Sequence, residues 1–256
     1  MKSVSIKKSV CIILSTLITL AFLLSNAAGI LPGHNIVRAA GEGHKHSGAL
    51  NASEDDHAGW TVWDSDSSLP TGPGSYYLTT DVTITSGAWV VPAGTTNLCL
   101  NGHSITAMGD FNAINIENYG IVLNLYDESG NGGTITHDNG KTGCGVYVKG
   151  GTFAMFGGTI TGNKADNGGG VVVAEGTFNM SGGTITGNTA KYNGGGVVDA
   201  DAGTFNMSGG TITGNEANSG GGVYVYDGTF TMEKGTITET KPMMAAVYLL
   251  MTEHLP

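Results

Sequence analysis

The chain has 256 residues, of which 43 are glycine and 6 are proline, about 19% together. That share lies below the level of low-complexity disorder, and the glycines do not recur at every third residue, which excludes a collagen helix. Lys2, Lys7, Lys8 and Arg38 are four of the 11 basic residues, so the chain beyond residue 38 holds 7 lysines against 21 acidic side chains, a net charge of −14. Such a surface repels nucleic acid and anionic lipid, and neither is an expected partner.

Residues 1–40 read as a secretory signal. Three lysines open it, and Val10 to Leu24 form an apolar run of 15 residues. The run is too short and wrongly flanked for a membrane span, so none is expected after cleavage. Cleavage sites fall at Ser25-Asn26-Ala27 or Val37-Arg38-Ala39, and the later one is preferred. An uncleaved membrane anchor is the alternative. The expected location is secreted or at the cell surface.

Residues 41–59 read as a flexible polar linker. It carries His44, His46 and His57 beside Asp55 and Asp56, a set that suits zinc or nickel; a solvated tract is the competing reading. From Trp60 short alternating runs appear, Tyr76 to Leu78, Val82 to Ile84 and Trp89 to Val91, separated by Pro70, Pro73-Gly74 and Pro92-Ala93-Gly94. Residues 60–141 read as an N-terminal cap with irregular coils, because a terminal coil must present a different face from an interior one.

Residues 142–238 hold four copies of one phrase. Phe153, Phe178, Phe205 and Phe230 are spaced 25, 27 and 25 residues apart, and Ile160, Ile185, Ile212 and Ile237 keep the same spacing. A fixed period of this length predicts a solenoid, an all-β right-handed parallel β-helix with about 25–27 residues per coil. Each repeat reads as three short strands whose alternation places Val, Phe, Met and Ile in inward columns. Asn163, Asn188 and Asn215 recur just past a strand, where an asparagine suits a bend and can bond its counterpart in the next coil. Two single-residue insertions, between Asn188 and Gly194 and between Val197 and Gly203, are expected in turns. Asp199 and Asp201 lie in the second, an exposed turn or a small cation site. Outside the leader two cysteines remain, Cys99 and Cys144, read as a bridge or as two small buried side chains.

Residues 239–256 contain no glycine. A shifted reading frame of this stretch permits another copy of the repeat, so it reads as an out-of-frame tail and the chain as a fragment of a longer product. A helical cap over Met243 to Met251 is the alternative.

The run Ile212 to Tyr224 resembles the repeat of polymorphic outer-membrane adhesins and the right-handed parallel β-helix repeats of secreted Firmicutes surface proteins. Trp60-Thr61-Val62-Trp63 and Asn97 to Ile105 look like the start of those Firmicutes proteins. The resemblance covers about residues 58–238 and implies an adhesive surface or secreted protein that contacts extracellular glycan or a host surface. The resemblance is specific for fold and poor for function, and the residues themselves show no catalytic site and call for no cofactor. A polysaccharide lyase or hydrolase is one alternative, although no carboxylates recur on one face of successive coils as acid–base work requires. An ice-binding face is another, built from Thr159/Thr161, Thr184/Thr186, Thr211/Thr213 and Thr236/Thr238; outward threonine is also ordinary strand composition.

Overall fold

The computed structural model describes residues 59–127, 132–238, 240–242 and 247–250. Residues 1–40, expected to be a secretory signal, and His44, His46 and His57 lie outside the described residues, as do most of residues 239–256. Among the described residues every regular element is a β-strand, stacked in parallel as a β-helix.

Three long sheets run along the axis. The phenylalanine sheet has eight strands, Thr61–Trp63, Gly74–Leu78, Thr95–Cys99, Val122–Tyr126, Thr152–Met155, Thr177–Met180, Thr204–Met207 and Thr229–Met232. The threonine sheet has seven, Val82–Ile84, Ser104–Ala107, Thr134–His137, Thr159–Thr161, Thr184–Thr186, Thr211–Thr213 and Thr236–Thr238. The valine sheet also has seven, Trp89–Val90, Ile114–Ile116, Val146–Val148, Val171–Val173, Val197–Ala200, Val223–Tyr226 and Val247–Leu250. Residues 60–141 thus enter the same three sheets as the regular repeats.

The interior follows from alternation. Phe153, Phe178 and Phe205 are 0% exposed, and with Phe230 they stack at centroid spacings of 5.0, 4.8 and 4.9 Å. Their planes lie 11°, 7° and 20° apart, an offset-stacked column. Ile160, Ile185 and Ile212 pair in register as a second buried column that continues to the half-buried Ile237. Coils approach closely where the triple glycines stand. A side-chain carbon on Gly170 would lie 2.5 Å from the Gly196 carbonyl oxygen and 2.8 Å from Ile185, so any larger residue would push two coils apart.

Each regular coil has a fourth strand where only three are expected. Lys164–Asn167, Thr189–Asn193, Glu216–Ala217 and Lys241–Pro242 form a four-stranded sheet between the threonine and valine sheets. Apart from Thr189 and Tyr192 their residues are poor strand formers, and pairing with neighbouring coils imposes the extended form. The first insertion therefore lies in a strand rather than a turn: it is a bulge, with Ala165 opposite Ala190 but Asn167 opposite Asn193. The second does lie in a turn, where Asp201 and Ala202 take φ of 52° and 63°.

Two further readings are corrected, and one of the two cysteine readings holds. Within the span Met243 to Met251 read as a helical cap, the described residues Val247–Leu250 are a strand paired with Val223–Tyr226, not a helix. Cys99 and Cys144 are both buried and form no disulfide, so the reading as two small buried side chains holds over the bridge. Burial pushes the Cys144 thiol up to about 12, which leaves it an inert apolar group. Asp199 is not in an exposed turn. It stands in the strand Val197–Ala200, between Val173 and Val225 in register, and is 0% exposed.

Candidate functional site

The bend that separates the threonine sheet from the fourth sheet is built by a Gly-Asn pair. Gly162, Gly187 and Gly214 take φ of 68°, 63° and 63°, a left-handed turn that suits glycine. Asn163, Asn188 and Asn215 follow with 1%, 0% and 0% exposure. Asn163 Nδ2 donates to Asn188 Oδ1 at 2.9 Å and Asn188 Nδ2 to Asn215 Oδ1 at 3.0 Å, an amide ladder along the axis. Each amide also donates to a carbonyl of the preceding coil, Ile135, Ile160 or Ile185. His137 heads the ladder, with Nδ1 2.7 Å from Asn163 Oδ1 and Nε2 2.7 Å from the Phe111 carbonyl. The asparagines are therefore structural, as their spacing suggests.

Past this ladder the surface is recessed. The fourth sheet has alanine at its centre, with Ala165 opposite Ala190, so the floor is shallow between longer side chains. One recess of about 540 Å³ is lined by Asp110, Asn112, Thr142, Lys164, Asp166 and Lys191. It shares Lys164 and Thr189 with a second of about 420 Å³ that includes Asp138, Asn139 and Lys141. It shares Thr189 and Lys191 with a third of about 370 Å³ that includes Glu216, Asn218 and Lys241. The three form one groove over the corner, parallel to the axis.

Four of the 7 lysines beyond residue 38 line this groove, namely Lys141, Lys164, Lys191 and Lys241. Asp110, Asp138, Asp166 and Glu216 accompany them. Lys141 Nζ lies 3.9 Å from Asp110 Oδ2, an exposed pair of little energetic weight. Asp110 Oδ1 also accepts from the Thr142 N–H at 3.0 Å. Lys191 Nζ sits 4.8 Å above the Tyr192 ring, and the neighbouring Tyr192 side chain raises its pKa above the ordinary lysine value. Lys164 has no side-chain partner among the described residues. The groove escapes a sequence search because its residues are spread over separate coils and sit on a sheet the repeat pattern does not announce.

The threonine sheet carries a different surface. Thr83, Thr106, Thr136, Thr161, Thr186, Thr213 and Thr238 form one outward rank along its seven strands. Ser104, Thr134, Thr159, Thr184, Thr211 and Thr236 form the other. The array is thus longer than the four Thr-x-Thr pairs of the repeats. Thr134 Oγ1 donates to Ser104 Oγ at 2.8 Å and Thr136 Oγ1 reaches the His137 carbonyl at 3.4 Å.

In the interior Asp199 is anomalous. Both carboxyl oxygens are buried without a hydrogen-bond partner. They face Gly203 and Gly228, where a side-chain carbon would collide with them. Burial pushes the carboxyl up to about 7; the Thr229 N–H, already 2.9 Å from the Gly203 carbonyl oxygen, offsets this only in part. Asp201 is exposed on the turn outside, so the two aspartates do not form the cation site that their sequence proximity suggests. Among the described residues no group of three His, Cys, Asp or Glu is placed to hold a metal ion, and no helix is long and apolar enough to cross a membrane.

No family model matches this chain, and neither does any curated protein or solved structure.

Proposed function

We propose that the chain is an exported, non-catalytic β-helix scaffold of the Firmicutes surface-protein kind, which adheres to extracellular glycan or to a host surface. What supports the reading is one feature of the fold, the repetition of outward positions in register. Thr159, Thr184, Thr211 and Thr236 show it on one sheet, and Asn179 and Asn206 on another. A ligand with repeating units meets the same group at each coil, and individually weak contacts then combine through effective concentration. The test is a solid-phase assay of the purified chain against polysaccharides and host matrix proteins. Saturable retention on at least one of them is expected; absence of retention on all of them overturns the proposal.

The two hydroxyl ranks favour a second reading, an ice-binding face. The first carries no charged side chain over seven strands and the second none over six, on a chain whose charge beyond residue 38 is −14. Hydroxyls free of protein partners can order water in a regular lattice. Cooling a solution of the chain with a seed crystal tests it. A gap between melting and growth temperatures, lost on Thr186→Lys, is expected, and growth at the melting point removes this reading.

A further inference from the structure

The corner groove has the chemistry of a particular ligand class, and we infer that it binds a neutral, linear glycan laid along the solenoid axis. The inference rests on the adhesive reading and names the site and ligand class for it.

Three observations on the groove converge. The first is shape. The recess continues across successive coils through the shared residues Lys164, Thr189 and Lys191, and it is open rather than enclosed, as a polymer requires. The coil repeat, read from the phenylalanine stack, is 4.8 to 5.0 Å, comparable with one sugar ring. Each ring of an axially laid chain would therefore meet an equivalent part of the next coil.

The second is charge. Lys141, Lys164, Lys191 and Lys241 balance Asp110, Asp138, Asp166 and Glu216, so the groove is neutral on a chain that is strongly acidic elsewhere. Ammonium donors, carboxylate acceptors and the amides of Asn112, Asn139 and Asn218 together suit hydroxyl groups, which both donate and accept. A polyanion would find four lysines but also four carboxylates, within an acidic surround.

The third is the apolar component. Ala165 is half-buried at the floor, and Tyr192, next in the chain to the lining residue Lys191, is 46% exposed, while Ala190 and Ala217 are buried beneath. A small apolar floor at Ala165 and an exposed aromatic edge at Tyr192 suit the C–H face of a sugar ring, while the hydroxyls point to the polar rims.

The experiment is affinity electrophoresis of the full chain in gels containing mixed-linkage β-glucan, xylan or galactomannan, with alginate as the anionic polymer. Retardation by at least one neutral polymer is expected, with apparent affinity falling at least tenfold in the Lys164→Ala/Lys191→Ala double variant. Lys149→Ala/Lys234→Ala, which makes the same charge change away from the groove, should bind like the parent. Equal thermal midpoints for the three chains tie any loss to the groove. If the first double variant binds a neutral polymer as tightly as the parent, the groove assignment fails and the adhesive reading stands. Retardation by alginate alone overturns the ligand class. If no gel retards the parent but it is retained on host matrix, the glycan inference fails alone; if it binds nothing, the adhesive reading fails too.

Discussion

At about pH 8 the Asp199→Val variant resists urea better than the parent chain by roughly 3–4 kcal/mol, and the difference shrinks as the pH falls towards 4. The carboxyl is pushed from 3.8 to about 7 in the folded chain. About three pH units at about 1.4 kcal/mol each set the upper end of that estimate. The sign follows from the direction of the shift. A folded-state value above the unfolded one means that the protonated acid is the form the fold tolerates. Stability tied to Asp199 is therefore fully present below about 3.8 and is lost as the pH rises through about 7. Valine is the residue at the two register neighbours, Val173 and Val225, so the substitution restores a column already present. Urea midpoints of parent and variant at several pH values check the claim, since the difference between the chains cancels the other carboxylates. A difference that does not vary with pH would show that the Asp199 carboxyl is not held away from water. Asp199→Asn separates ionisation from polarity: it should remove the pH dependence while keeping a buried polar group that lacks partners.

The Asn188→Ala chain loses about 3–5 kcal/mol, the sum of buried groups left without partners at about 1–3 kcal/mol each. Asn188 Oδ1 accepts from the Asn163 N–H at 3.1 Å and from Asn163 Nδ2 at 2.9 Å. Its Nδ2 donates to the Ile160 carbonyl at 2.9 Å and to Asn215 Oδ1 at 3.0 Å. Truncation strips a partner from two donors, the Ile160 carbonyl and the Asn215 amide oxygen in a buried place. The contrast is Asn206→Ala, which breaks one 3.0 Å bond from Asn206 Nδ2 to Asn179 Oδ1 on the half-exposed outer face. That loss should stay within about 1 kcal/mol, because water replaces the partner. Thermal and urea midpoints of the two variants are the measurement. Equal losses would mean that the inner ladder contributes no more than an ordinary surface bond.

The same distinction separates what was legible in the sequence from what was not. The columns Phe153 to Phe230 and Ile160 to Ile237, and the ladder of Asn163, Asn188 and Asn215, were visible because each recurs once per period and identical neighbours must meet when coils stack. The fourth sheet was not visible. Lys-Ala-Asp-Asn, Thr-Ala-Lys-Tyr-Asn and Glu-Ala share little beyond one alanine, and little in their propensity marks a strand. The groove was hidden for the same reason, since Asp110, Lys164 and Lys191 belong to separate coils. Asp199 was misplaced because an insertion beside a glycine reads as a turn, whereas the strand runs one residue further and turns the carboxyl inward.

By itself, then, the sequence determined the period, the stacking and the inner columns of this protein, because repeated apolar residues at a constant interval can be buried only against their own copies. Tertiary structure alone decided which weakly marked segments became strands, which surface was recessed, and that one carboxylate took the place of a valine. Those outcomes depend on register between residues about 25 apart, and a register is set by neighbouring coils rather than by the local string.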